Sequence, residues 1–199
     1  MKIYRVTELA NSGRLERDKM PWGFHLAAHL GTLIHQHLLE KYRGKGWYQE
    51  TTQICSLVPS LAIGSPIHAI LMGTPDMFKV EGETLRIIDF KTLSPTARLV
   101  VKAEWWIQIT LYALQVMRNY RFRVKNISLE IWFYHRQDKV EDSLKRVKKV
   151  KETRQTESLL GTVELWIANR LKQNLKLVSF SKGVIGNAKQ STKTASIEK

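Results

Sequence analysis

Two aspartates and a lysine stand close together in the stretch GTPDMFKVEGETLRIIDFKT, residues 73–92. Asp89 and Lys91 lie two apart near the end of an apolar run. As strand residues they project from one face, with Phe90 turned away. Asp76 lies near the start of the preceding segment, and a turn at Glu81-Gly82 folds that segment back alongside. Charges drawn into a sheet are costly to desolvate unless they pair or hold a metal. Two neighbouring carboxylates repel, and one takes up a proton unless a cation sits between them. Oxygen donors of this kind suit Mg2+ or Mn2+. A lysine beside them orients a water or steadies a phosphate oxygen.

The elements that must position these groups are legible around them. Pro21 is a helix-start signal, and a helix is predicted over residues 22–42, with Leu26, Leu30, Leu33, Ile34 and Leu38 at helical spacing. The Arg43–Gly46 stretch RGKG ends it. Strands are predicted over 50–58, 67–72, 74–80 and 84–90, then a helix over 102–119. Residues 126–135, NISLEIWFYH, read as a strong strand with its aromatics in the core. Residues 137–154 hold seven Lys or Arg against four Asp or Glu. They are predicted as a solvated connection with a short, irregular strand near 146–150. A third helix is predicted over 155–175. The order of elements implies an α/β domain with a mixed central sheet flanked by helices. A single domain over 1–180 and a basic, disordered tail over 181–199 complete the expected organisation, while residues 1–20 give no assignable pattern.

Bulk properties narrow the partners. The 199 residues include 32 Lys plus Arg against 18 Asp plus Glu, a net charge of +14. Such an excess favours a polyanion, nucleic acid before membrane. There is no apolar run of membrane-spanning length and no signal-peptide core, so a cytoplasmic location is expected, including that of a virus-encoded protein acting in a host cell. The lone Cys55 forms no internal disulfide and cannot supply the four thiolates of an iron–sulfur cluster. His25 and His29 have the helical spacing of a zinc pair but no third ligand in view.

Pro75-Asp76 followed by Asp89-Phe90-Lys91 resembles the motif of PD-(D/E)XK nucleases. Three more pieces are similar to the RecB-like branch: Gly31 to His35 as G-x-x-x-H, Gly73 before Asp76 as G-x-x-D, and Gln108 to Tyr112 as Q-x-x-x-Y. The resemblance spans residues 31–112, in the branch's order. It implies a restriction-endonuclease-like core and a nuclease using Mg2+ or Mn2+. It implies metal ligation by His35, Asp76, Asp89 and the backbone carbonyl of Phe90, with Lys91 on the attacking water. It places Gln108 and Tyr112 beside the metal, one turn apart on a shared helix face. Glu50 is a further acidic residue expected near the site. The implied substrate is DNA, single-stranded or at ends, in replication, recombination or repair, with a homo-oligomer as one possible assembly.

Competing readings are a Holliday-junction-resolvase-like endonuclease on branched DNA, and a DNA-binding module with weak or no cleavage. The plainest reading makes Asp76, Asp89 and Lys91 a structural ion-pair cluster. The basic run at 139–154 reads either as a solvated loop or as a phosphate contact sensitive to salt.

Overall fold

The computed structural model describes residues 2–10, 22–50, 53–57, 69–137, 139–167 and 169–170. In chain order they form β1 (Lys2–Arg5), α1 (Val6–Ala10), α2 (Trp22–Tyr42), β2 (Tyr48–Gln49), β3 (Gln53–Leu57) and β4 (Ala69–Gly73). There follow β5 (Met77–Glu81), β6 (Thr84–Leu93), α3 (Ala103–Tyr120), β7 (Asn126–His135), α4 (Val140–Ser143) and β8 (Arg146–Gln155). A last helix, α5, occupies residues 156–167. The fold is the expected α/β architecture. Its main sheet is mixed and five-stranded, in the order β2-β5-β6-β7-β8. A second sheet of three strands, β1-β4-β3, was not foreseen.

Alternation along β6 and β7 builds two cores. Leu85 and Ile87 join Ile127, Leu129, Ile131 and Phe133 on one face, where α3 packs through Ile109, Ala113 and Val116. Ile88 and Phe90 join Trp132 and Tyr134 on the other, under Ile34 and Leu38 of α2. Each such side chain, fully buried, contributes roughly 1.5–3 kcal/mol. The aromatics of β7 are core residues, as expected. Gly31 lets α2 approach β6 closely, since a Cβ there would lie 3.0 Å from the Thr92 hydroxyl oxygen.

The hairpin that carries the acids turns at Gly82, whose φ of +57° favours glycine. The turn thus lies one residue later than expected, and β6 runs on to Leu93 rather than stopping at Phe90. Glu50 lies outside any strand, in a left-handed conformation of φ +39°.

The largest correction concerns residues 146–155. They form a regular ten-residue edge strand, antiparallel to β7 from Asn126↔Gln155 to Tyr134↔Arg146, with a register shift at Phe133/Tyr134. Its residues are mostly exposed, so apolar alternation is missing from RVKKVKETRQ. Hydrogen bonding to β7 orders it, and exposed charges are the usual protection of an edge strand. The expected tail lies outside the described residues. No helix among the described residues is long and apolar enough to cross a membrane.

Candidate active site

The parallel pairing of β6 with β7 puts Asp89 beside Ile131 and Lys91 beside Phe133. Both charged residues therefore face α3, while Phe90 turns its ring toward α2. Asp76 lies one step beyond the last hairpin pair, Met77↔Ile88, which brings it opposite Asp89. Its Oδ2 accepts a 2.5 Å hydrogen bond from the Phe90 N–H. The backbone N–H of Glu50 donates to the Asp76 carbonyl at 3.1 Å, and the Glu50 side chain is exposed. Glu50 thus braces the acid-bearing segment through its backbone.

His35 reaches the group from α2. Its Nδ1 is 3.7 Å from Asp76 Oδ1, and its ring stands edge-on to Phe90 with centroids 5.7 Å apart. Burial lowers its proton affinity, but Asp76 and the nearby charge of Asp89 overcome this, so its pKa is raised. His29, by contrast, is exposed. The side chain of His25 lies outside the described residues.

Asp89 is only 3% exposed. The Lys91 ammonium lies 2.6 Å from its Oδ2. That approach misses hydrogen-bond geometry, and Oδ2 accepts no hydrogen bond. Burial pushes the Asp89 carboxyl up to about 6; Lys91 opposes the rise and the Asp76 charge adds to it. A buried carboxylate oxygen without a hydrogen bond, beside a second carboxylate and an imidazole, is a donor set that fits a hard divalent cation. Among the described residues no three His, Cys, Asp or Glu side chains close on one point. Instead His35 meets Asp76, while Asp89 meets Lys91.

A polar relay holds the lysine. Lys91 Nζ donates to Gln108 Oε1 at 3.1 Å, and Gln108 Nε2 donates to the Tyr112 hydroxyl at 2.9 Å. Burial is the largest influence on Tyr112 and raises its pKa, so the phenol keeps its proton at neutral pH. Gln108 and Tyr112 thus share the face expected of them and line up behind Lys91. Gln115, further along α3, serves the fold instead. Fully buried, it donates to the carbonyls of Gln53 and Leu71 and ties down the second sheet.

Gly73 has a reason in packing. A Cβ there would lie 2.6 Å from Val6 Cγ2 and 2.8 Å from Tyr112 Cε1. Sequence reasoning missed the partner of this contact, because β1 and α1 come from the stretch with no legible pattern. Beside it, a cavity of about 380 Å³ is lined by Arg5, Thr7, Thr74 and Tyr112 among others.

A family model for the PD-(D/E)XK nuclease superfamily matches residues 8–180. Among solved structures, that of SSO0001 is similar, with a TM-score of 0.53 at 12% identity over 87% of this chain and 76% of the other. That likeness concerns the fold alone. No curated protein matches the chain.

Proposed function

The chain belongs to the PD-(D/E)XK nuclease superfamily, and we propose that it is a metal-dependent deoxyribonuclease of the RecB-like branch. Its proposed substrate is single-stranded DNA or DNA ends, in replication, recombination or repair. The carrying observation is Asp89: buried, without a hydrogen bond on Oδ2, and 2.6 Å from the Lys91 ammonium. A structural aspartate at this depth would have its oxygens satisfied.

Asp76 and Asp89 would hold Mg2+ or Mn2+, with the Phe90 carbonyl as a neutral oxygen and His35 through an unprotonated ring nitrogen. When bound, the ion supplies charge stabilisation at the phosphate and a more acidic water. The chain's own groups do the positioning. Lys91 presents its ammonium to the attacking water or a phosphate oxygen. Gln108 fixes where that ammonium points, and Tyr112 fixes Gln108. The net charge of +14 draws the polyanion in.

The test is cleavage of end-labelled single strands, duplexes, a closed circle and a four-way junction, each with Mg2+, Mn2+ or EDTA. Linear single strands or ends should be cut with metal and left intact in EDTA. Cleavage that persists in EDTA, or that survives Asp89→Asn, would overturn the reading. Preference for the junction would favour a resolvase.

A further inference from the structure

A tryptophan beside the catalytic lysine has no part in the proposed chemistry. Trp105, in the first turn of α3, is half-buried, its ring tilted against Phe133 with centroids 5.9 Å apart. Two ammonium groups flank it: Lys91 Nζ lies 5.6 Å and Lys102 Nζ 5.4 Å from the ring centroid. The loop leading to it, residues 94–102, reads SPTARLVVK and carries Arg98 and Lys102 but no carboxylate. Among the described residues, neither Arg98 nor Lys102 makes an ion pair, and both are exposed.

The loop is held in place. Lys148 Nζ donates to the Leu99 carbonyl at 2.8 Å. Ala97 N–H donates to Ser94 O at 2.9 Å, and the Ser94 and Thr96 hydroxyls lie 3.0 Å apart. Lys148 comes from the β8 rung that continues Lys91↔Phe133 across the sheet. The regular edge strand therefore anchors a cationic loop at the mouth of the site. Within it Val100 is 64% exposed.

Unpaired cations around a partly open indole suit a ligand with alternating anionic and flat aromatic groups. Single-stranded nucleic acid is such a ligand, because its bases are free to stack on an aromatic ring while its phosphates meet lysine and arginine. In a duplex the base faces are occupied by each other. We infer that Trp105, Lys102 and Arg98 form a strand-binding step next to the catalytic centre. A base adjoining the scissile phosphate stacks on Trp105, and neighbouring phosphates meet Lys102 and Arg98. This rests on the nuclease reading and gives it a physical source of preference for unpaired DNA. Trp105 is a positioning residue here: it acts on the strand, not on the reacting atoms.

The test separates binding from cleavage. Oligodeoxynucleotides carrying 2-aminopurine are titrated in EDTA against the full chain and its Trp105→Phe and Trp105→Leu variants. Stacking predicts quenched fluorescence in the parent and the Phe variant. It predicts about a tenfold loss of single-strand affinity in the Leu variant, with duplex affinity unchanged. Equal losses in the Phe and Leu variants, or none in either, would overturn it. Should Trp105→Leu not fold, the double variant Arg98→Met/Lys102→Met keeps the question open to measurement. It should flatten the salt dependence of single-strand binding by about one in log–log slope; an unchanged slope sinks the proposal. If the parent cleaves no DNA but Trp105→Leu still loses affinity, the nuclease reading fails while this one stands. If the parent cleaves and Trp105→Leu binds as tightly as the parent, this one fails alone.

Discussion

Asp89 and Glu130 are both buried carboxylates of the central sheet, 3% and 0% exposed, on neighbouring strands and opposite faces. Glu130 is saturated. Arg86 grips it with two nitrogens at 2.9 and 3.1 Å, Lys149 lies 2.9 Å from Oε2, and the Trp132 indole N–H donates at 2.9 Å. Burial alone pushes Glu130 up, yet the bonds from Arg86, Lys149 and Trp132 outweigh it and hold it near about 2. Asp89 has one cation at an unsuitable angle, an oxygen with no hydrogen bond, and a pKa pushed up to about 6. Depth is the same; satisfaction is not. A carboxylate that serves the fold is given its partners by the chain. One that serves chemistry is kept short of them, so that a ligand can supply the rest.

The sharpest way to break this contrast is to neutralise each acid in turn. Asp89→Asn should lower metal-dependent cleavage by about a thousandfold or more, since the carboxylate is proposed to hold the ion. Its melting temperature should hold or rise near neutral pH, because a poorly solvated charge has gone. A large loss of stability would place Asp89 with Glu130 as a structural residue. Glu130→Ala should do the reverse, costing about 3 kcal/mol of stability by stranding Arg86 and Lys149. Cleavage per folded molecule should stay close to the parent's; chemical denaturation with an activity assay below the transition reads both.

The two acids also respond to pH with opposite sign. Asp89 binds its proton more tightly folded than unfolded, so the stability this gives is present below its unfolded value of 3.8 and is lost as pH rises through about 6. Glu130 contributes stability above its unfolded value of 4.5, lost as pH falls toward about 2. Metal binding follows Asp89. Below about pH 6 the proton competes with the cation, and the raised pKa of His35 acts in the same direction. Mn2+ affinity by calorimetry should fall about tenfold per unit as pH drops below about 6. A flat profile there would show that Asp89 is not a ligand.

What was legible in the chain follows the same division. The bounds of α2 and β7 match their predicted ranges because both carry strong periodicity: helical leucines in one, β-branched and aromatic residues in the other. Asp76, Asp89, Lys91, Gln108 and Tyr112 were legible through spacing alone, and α3 and the hairpin bring them to one end of the sheet. β8 was not legible. Of its residues only Val150 packs against the α3-side core, so the instruction to form a strand resides in β7 rather than in its own sequence. β1 and α1 escaped for a related reason: β1 exists by pairing in parallel with β4 from Lys2↔Ala69 to Arg5↔Met72. Glu130 reads as one charge in an apolar strand, and its partners on β6 and β8 are distant in sequence.

The smallest expected effect tests whether Glu130 is held by a network or by one pair. Lys149 is a partly exposed contributor on the edge strand, its side chain 32% exposed. Removing it by Lys149→Met leaves the two-nitrogen grip of Arg86 and the indole bond intact. The expected loss of stability is about 1 kcal/mol or less, as for other solvent-screened ion pairs. It should shrink with added salt, whereas the loss from Glu130→Ala should hardly change, because a buried charge is poorly screened. Denaturant melts of both variants at low and high ionic strength measure this directly. If Lys149→Met costs as much as Glu130→Ala, Arg86 does not suffice on its own. Satisfaction of Glu130 would then depend on the same edge strand that anchors the cationic loop over Trp105, and the two carboxylates would not be independent.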